Sequence, residues 1–541
     1  MQSAGDVAGF VKPLFNDLLA PEQLPNAVAA AAMLKQAIDR GRRIVIYGDY
    51  DVDGVTATTI LWHALRIAGA AVSFYVPGRL DEGYGLNSDA LDKIAAEGDA
   101  LVITVDCGIT AIDEAAHARK LGLSLIITDH HQPRAALPAA DCIVHPTAGP
   151  QQSPNPDLCG AGVALKVAWA LAREIGGATR VSPAFREFLL DATAFAAMGL
   201  VADVVPLVGE NRIIASYGLK RLAQSENAGL KALIEVSGLS GKANMNDYDI
   251  GFLLAPRLNA VGRMGHARLA VELFTRATPE QAREIAQTLD GHNRQRQSVE
   301  RGIAAAAEKM VAERGFDRES CRGIVLASAD WHAGVIGIVA SRLVERFCRP
   351  TILIALENGH GQGSGRSVRN FPLHDVLQCC GEHLLSHGGH AMAAGVKLRS
   401  DQVEPFTRAF QDQAAQRLTT ADIRSRLHLD DEVALGELMP DVLDSIEMMA
   451  PFGVGNPRPR LATREVELVD PPRVVGKNAN HLQFSVREGR DFRKAIAFNA
   501  GDAAEDFRQH KRVRLAFEPL INEWNGQRRA ELKVIDWKFA D

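Results

Sequence analysis

The chain has no CxxC pair, and its seven cysteines are odd in number and scattered over 541 residues. A disulfide framework is therefore not expected, whereas reduced thiols in a cytoplasmic protein are. No signal peptide opens the sequence, and no uninterrupted apolar run is long enough to span a bilayer, so no membrane role is expected. A GxxxxGK[ST] loop is missing, which argues against ATP-driven chemistry. Global basic charge is missing too: the formal net charge is −6, so any nucleic-acid surface must be local. What is present is ordinary for a globular chain of roughly two to four domains, with 47% hydrophobic and 23% charged residues.

One stretch stands out. Ile44-Val45-Ile46-Tyr47 is β-branched and apolar, and it runs into Gly48-Asp49-Tyr50-Asp51-Val52-Asp53-Gly54, three aspartates at alternate positions. Helical spacing of apolar residues follows from Val55 to Gly69, so the pattern reads strand, acidic loop, helix. Three carboxylates this close repel one another unless a cation neutralises them. Loop aspartates often only cap helices, and a single Asp-Gly would be read that way. An EF-hand fails on two counts: its twelfth position is Ile60 in place of a bidentate Glu, and a strand precedes the loop. Metal binding is the expectation.

Strand-like and helix-like segments alternate onward: Val72–Val76, Ser88–Glu97, Ala100–Val105, Ala111–Leu121, Leu123–Thr128 and Cys142–Val144. This alternation predicts an α/β fold with a parallel sheet covered on both faces. Asp106 follows the third strand-like run, and Asp129, His130 and His131 follow the next, where such sheets bind ligands. Asp203 lies inside the apolar stretch Val201–Pro206 and is a further candidate ligand, because a buried aspartate is costly unless paired. Leu269 to Arg314 reads as a charged connecting helix. A second α/β unit begins near Gly323 and contains two glycine-rich polar stretches, Gly361–Ser367 and His387–His390. Glycines permit close approach to an anion, although such stretches are often mere turns. From Leu427 the pattern is mostly β, with hairpin signals at Glu488-Gly489 and Asn525-Gly526. Phe484, Phe492, Phe498 and Trp524 are interleaved with basic residues there, which suits a small barrel binding single strands by charge and stacking, and equally a barrel core.

The order of Gly48–Gly54, Val105-Asp106-Cys107-Gly108, Asp129-His130-His131 and Ala202-Asp203-Val204 resembles the four motifs of the DHH phosphoesterase superfamily. Gly388-Gly389-His390 with Ala393-Ala394-Gly395 is similar to the signature of the DHH-associated domain. Arg257-Leu258-Asn259-Ala260, Gly262-Arg263, Gly83–Asn87 and the terminal β-region narrow the likeness to the single-strand-specific 5′→3′ DNA exonucleases.

The resemblance implies a helical lead-in over 1–40, a catalytic domain over 41–235, connecting helices over 236–315, a DHH-associated domain over 316–420 and an OB-fold barrel over 427–541. It implies two ions, Mn²⁺ or Mg²⁺, on Asp51, Asp53, Asp106, His130 and Asp203, with Asp106 bridging. His131 is implied as a ligand or phosphate contact, and Asp129 as the residue orienting its neighbours. Tyr47 stands where many relatives have histidine, four residues before Asp51, so Asp49 is a candidate to complete that ion's shell. Arg79 with Ser364 and Arg366 would grip a 5′-terminal phosphate, Gly388, Gly389 and His390 a nearby one, and Arg257, Asn259 and Arg263 the strand. The implied product is the 5′-mononucleotide, and the implied setting is DNA repair and recombination, with a RecQ-type helicase and a single-strand-binding protein as partners and the enzyme a monomer. Three alternatives compete: a phosphodiesterase of short oligonucleotides or cyclic dinucleotides, a non-catalytic DNA-binding scaffold, and a pyrophosphatase. The terminal barrel and the complete acidic set count against them.

Overall fold

A computed structural model describes the chain except residues 1–3, 79–84, 178–179, 264–266, 525–526 and 541, and except the side chains of residues 4–6, 263, 523, 524 and 527. Five strands form a wholly parallel sheet: β1 Arg43–Gly48, β2 Val72–Tyr75, β3 Ala100–Val105, β4 Ser124–Thr128 and β5 Cys142–Val144. Their order is β2-β1-β3-β4-β5. Alternation along β1 splits its side chains between two cores. Ile44 and Ile46 join the core shared with helices Val52–Ile67, Gly160–Ile175 and Pro183–Ala202, while Val45 and Tyr47 pack towards helices Ser88–Ala96 and Ile112–Lys120. The first of these cores runs from Leu24 to Leu289, so the N-terminal helices and part of the connecting region pack into it.

The connecting region ends in one helix, Pro279–Arg314. Thr278 and Gln281 close a capping box at its start, Pro279 occupies the first turn, and Gly315 at φ +65° ends it. At 1.5 Å per residue it is about 54 Å long. It carries the chain to a second sheet, β6 Ile324–Ser328, β7 Thr351–Glu357, β8 His360–Arg366, β9 Ser386–Gly389 and β10 Ala393–Arg399, ordered β6-β7-β8-β10-β9. Here the glycine-rich stretches are strands. Gly361 and Gly363 alternate along β8, and a Cβ on either would lie 2.7 Å from Ile354 Cγ2 or 2.5 Å from Val396 Cγ2. Their absent side chains let the apolar neighbours close over the sheet.

Eight further strands build the last unit: β11 Asp431–Val433, β12 Leu461–Thr463, β13 Val466–Leu468, β14 Arg473–Val475, β15 His481–Glu488, β16 Asp491–Ala497, β17 Arg512–Trp524 and β18 Gln527–Phe539. Pairing runs β17-β13-β15-β16-β18 and returns to β17, which closes a five-strand barrel. The Asn525-Gly526 signal lies outside the described residues, but the strands it separates do pair, Trp524 opposite Gln527. Phe484 is in the barrel core, whereas Phe492 and Phe498 are exposed. The buried guanidinium of Arg212 ties this unit to the first by donating to the carbonyls of Ala450 and Pro451, and Leu207 N–H donates to Val454 at 2.8 Å. Among the described residues, no helix is long and apolar enough to cross a membrane.

Candidate metal centre

The chain leaves β1 for β2 on one side and returns to β3 on the other. The carboxyl ends of β1 and β3 therefore border the crevice where strand order reverses, the place open parallel sheets use for ligands. Asp49 follows β1 and is buried. Asp51 caps the next helix by accepting from Gly54 N–H at 3.1 Å, and Asp53 lies in that helix's first turn. Asp106 follows β3 at φ +62°, and Val204, directly after Asp203, sits at φ +60°. Left-handed backbone is unfavourable for both, most of all for a β-branched residue, and such strain concentrates at functional sites.

Three sets of side chains converge with their ligand atoms within 4.8 Å of one another: Asp49, Asp51 and Asp106; Asp53, His130 and Asp203; and Asp106, His130 and His131. His130 Nε2 lies 3.1 Å from Asp106 Oδ1 and 3.6 Å from oxygens of Asp53 and Asp203. That nitrogen is buried and has no hydrogen bond among the described residues. Burial lowers the His130 pKa, which keeps a lone pair available. Burial and the charges of Asp53, Asp51 and Asp49 push Asp106 well above the usual carboxylate range, and burial with Asp53 and Asp51 takes Asp203 to about 8. These carboxylates destabilise one another as they stand. Two divalent cations would reverse that, and a donor set of carboxylates with one or two imidazoles suits Mn²⁺ or Mg²⁺ better than Zn²⁺. The residues fit the ions.

Asp129 organises the remainder. Its carboxylate accepts from the backbone N–H groups of Ile109, His130 and His131, and lies 2.8 Å from His131 Nδ1. Despite burial, these contacts with His131 and the backbone hold the Asp129 pKa at about 2 and raise His131 to about 9. Asp53 receives the amino end of the Gly160–Ile175 helix, with Gly160 and Ala161 N–H groups at 2.6 and 2.8 Å. Sequence reasoning missed this cradle. A Cβ on Gly160 would stand 2.7 Å from Asp106 Cβ, and one on Gly199 would stand 2.3 Å from Asp53 Oδ1. Tyr47 points away from the acids: its hydroxyl donates to Gly85 O and accepts from Asn87 Nδ2, both at 3.0 Å. Asp49 stands in the set that includes Asp51 and Asp106.

Comparison with known proteins bears on this centre. The DHH family N-terminal domain matches residues 43–196, the DHHA1 domain 322–416 and the RecJ OB domain 429–536. The single-stranded-DNA-specific exonuclease RecJ of Haemophilus influenzae is 35% identical over 96% of this chain and 91% of its own length. The chain belongs to the RecJ family. The RecJ of Bacillus subtilis is 39% identical over 97% of this chain, which spans 65% of that relative. A crystal structure of RecJ from Thermus thermophilus in complex with Mn²⁺ superposes with a TM-score of 0.82 at 31% identity, covering 98% of this chain and 74% of that one; the same enzyme is also known with Mg²⁺.

The remaining candidate residues sit on other elements. Ser364 and Arg366 sit on β8 beside the start of the Ile336–Phe347 helix, where a Cβ on Gly337 would meet Ser364 Oγ at 2.8 Å and Arg366 Nη2 at 3.2 Å. Gly388 and Gly389 are on the exposed edge strand β9, and His390 N–H donates to Ala393 O at 2.8 Å. Arg257 directs its guanidinium to Asp290 at 3.0 Å and to Leu253 O at 2.5 Å, inside the helical region. Asn259 lines a groove nearby. Arg79 lies outside the described residues, as does the side chain of Arg263.

Proposed function

We propose that this protein is a metal-dependent, single-strand-specific 5′→3′ exodeoxyribonuclease that releases 5′-mononucleotides in DNA repair and recombination. One observation carries the reading: two ligand sets, Asp49/Asp51/Asp106 and Asp53/His130/Asp203, meet at the buried Asp106–His130 contact. Asp49, Asp51 and Asp106 would hold one ion and Asp53, His130 and Asp203 the other, with Asp106 beside both sets through its contact with His130. Bound there, two such ions supply an activated water and stabilise the attacking and leaving oxygens of an in-line displacement.

The chain's own groups do the positioning. Asp129 fixes the ring of His131 through Nδ1, which suits contact with the scissile phosphate. Ser364 and Arg366, beside a helix amino end, form an anion-seeking pair suited to a 5′-terminal phosphate. That favours 5′ polarity. Gly388, Gly389 and His390 contact an adjacent phosphate, and the closed barrel holds the strand further along through charge and exposed aromatics. The free cysteines suit a cytoplasmic setting. We also propose that the protein acts as a monomer alongside a RecQ-type helicase and a single-strand-binding protein.

The test uses 5′- and 3′-end-labelled single strands and a duplex control, each with Mn²⁺, Mg²⁺ or chelator. The expected result is metal-dependent release of mononucleotides from the 5′ end of single strands alone. Hydrolysis confined to dinucleotides, or binding without cleavage, contradicts it.

A further inference from the structure

We propose that the exposed aromatic pair Tyr248 and Phe252 is a stacking platform for bases of the strand entering the metal centre, with Asn259 and Arg301 contacting the same strand. The inference rests on the nuclease reading above and assigns residues to it.

Both rings are solvent-facing, Tyr248 at 56% and Phe252 at 67% exposure, although aromatic side chains of this size gain most by burial. They stack on each other with centroids 4.8 Å apart and planes at 21°. The backbone beneath them is a π-helical turn, Asp249–Leu254, a form frequent at functional sites. It is firmly held: buried Asp249 binds Lys242 Nζ at 2.7 Å and accepts from Asn246 N–H at 2.9 Å. The backbone that carries both rings is therefore anchored at Asp249.

Phe252 of the pair borders two grooves. One groove, of about 310 Å³, is walled by Ala202 and Val204 on either side of Asp203, by Phe452 of the barrel unit, and by Phe252 and Asn259. A second, of about 530 Å³, is also lined by Phe252 and Asn259 and continues to Arg296, Arg301 and Arg342. Phe252, Pro256 and Asn259 line both, so the two adjoin: the first is mainly apolar, with Asp247 as the carboxylate in its lining, and the second is basic. Three arginines there face a single carboxylate, Glu300, which pairs with Arg296 and Arg342. Arg301 is exposed and has no ion pair among the described residues, and Asn259 is half-buried with no side-chain hydrogen bond among them. An apolar floor with exposed rings, leading to excess positive charge, matches the bases and backbone of one nucleic-acid strand. A docked protein segment is the competing occupant, and the basic excess disfavours it.

The test measures dissociation constants in the cleavage-blocked Asp106→Asn chain. The probes are oligodeoxythymidine and the same strand with a short abasic stretch moved stepwise from the 5′ end. The expected scan has one register at which lost bases weaken binding about ten-fold. Tyr248→Ala with Phe252→Ala erases that register and itself weakens binding of the intact strand about ten-fold, whereas Phe252→Trp retains both. Separately, Arg301→Ala lowers the slope of log affinity against log salt by about one. A flat scan in the parent overturns the platform without relying on any substitution at the rings. Unchanged strand binding by the double variant also overturns it, and leaves the pair as a protein-docking surface. Failure of the unsubstituted chain to bind or cut single strands instead overturns the nuclease reading itself.

Discussion

The two sheets solve opposite electrostatic problems. The parallel sheet gathers Asp49, Asp51, Asp53, Asp106 and Asp203 with His130 at one crevice, an arrangement that repels itself until cations arrive. The mixed sheet has Ser364 and Arg366 beside a helix start and thins β8 to glycines, an arrangement we propose as the seat of an anion. One builds its site by adding side chains to strand ends, the other largely by removing them. A phosphodiester substrate needs both, a cation centre for the bond that breaks and an anion seat for the end that is counted from.

The largest expected effect removes the shared carboxylate. Asp106→Ala lowers turnover by on the order of 10³-fold or more, while single-strand affinity stays nearly unchanged, because the barrel is untouched. Gel-based turnover beside equilibrium binding checks this, and turnover near that of the parent would break the contrast at its stronger pole. Next comes Asp129→Asn, which retains shape but loses the charge that orients His131; a roughly 10–100-fold loss in activity or Mn²⁺ affinity is expected. Smaller is Arg366→Ala. It reduces the preference for a 5′-phosphate over a 5′-hydroxyl strand by about ten-fold, as loss of one charge-assisted contact should, with hydrolysis of the hydroxyl strand little altered. An unchanged preference would mean that the anion seat lies elsewhere.

Smallest in function but measurable in stability is Gly363→Ala, whose Cβ would press on Val396 Cγ2 at 2.5 Å. A cost of about 1–3 kcal/mol is expected by thermal melting, from overpacking alone. The matching substitution in the first unit, Gly160→Ala at the start of the Gly160–Ile175 helix, presses on Asp106 and should reduce metal affinity as well as stability. Equal behaviour of the two would erase the distinction between a structural and a site glycine.

The parallel sheet and its acids were legible because each aspartate interrupts an apolar run at a strand end, a pattern carried by neighbouring residues. Strand Ala100–Val105 and strand Cys142–Val144 match their expected bounds for the same reason. The glycines around the centre were not legible. Gly160 and Gly199 matter through contacts with Asp106 and Asp53, far away in sequence, and no local pattern encodes such contacts. Glycine-rich β8 looked like an anion loop or turn, because glycine weakens strand signals and its packing reason lies in Ile354 and Val396. Arg257 illustrates the same limit, since its ion-pair partner Asp290 sits on another helix. The exposed pair Tyr248 and Phe252 gave no signal either, since helical spacing does not reveal which face another unit leaves open.

The central claim is a pair of ions joined by Asp106, and Mn²⁺ titration followed by calorimetry with electron paramagnetic resonance tests it most directly. Two bound ions are expected in the unsubstituted chain, spin-coupled to each other, with one retained in Asp49→Asn or Asp203→Asn, and weakened binding of both in Asp106→Asn. A single uncoupled ion, or two whose binding ignores Asp106, would contradict it.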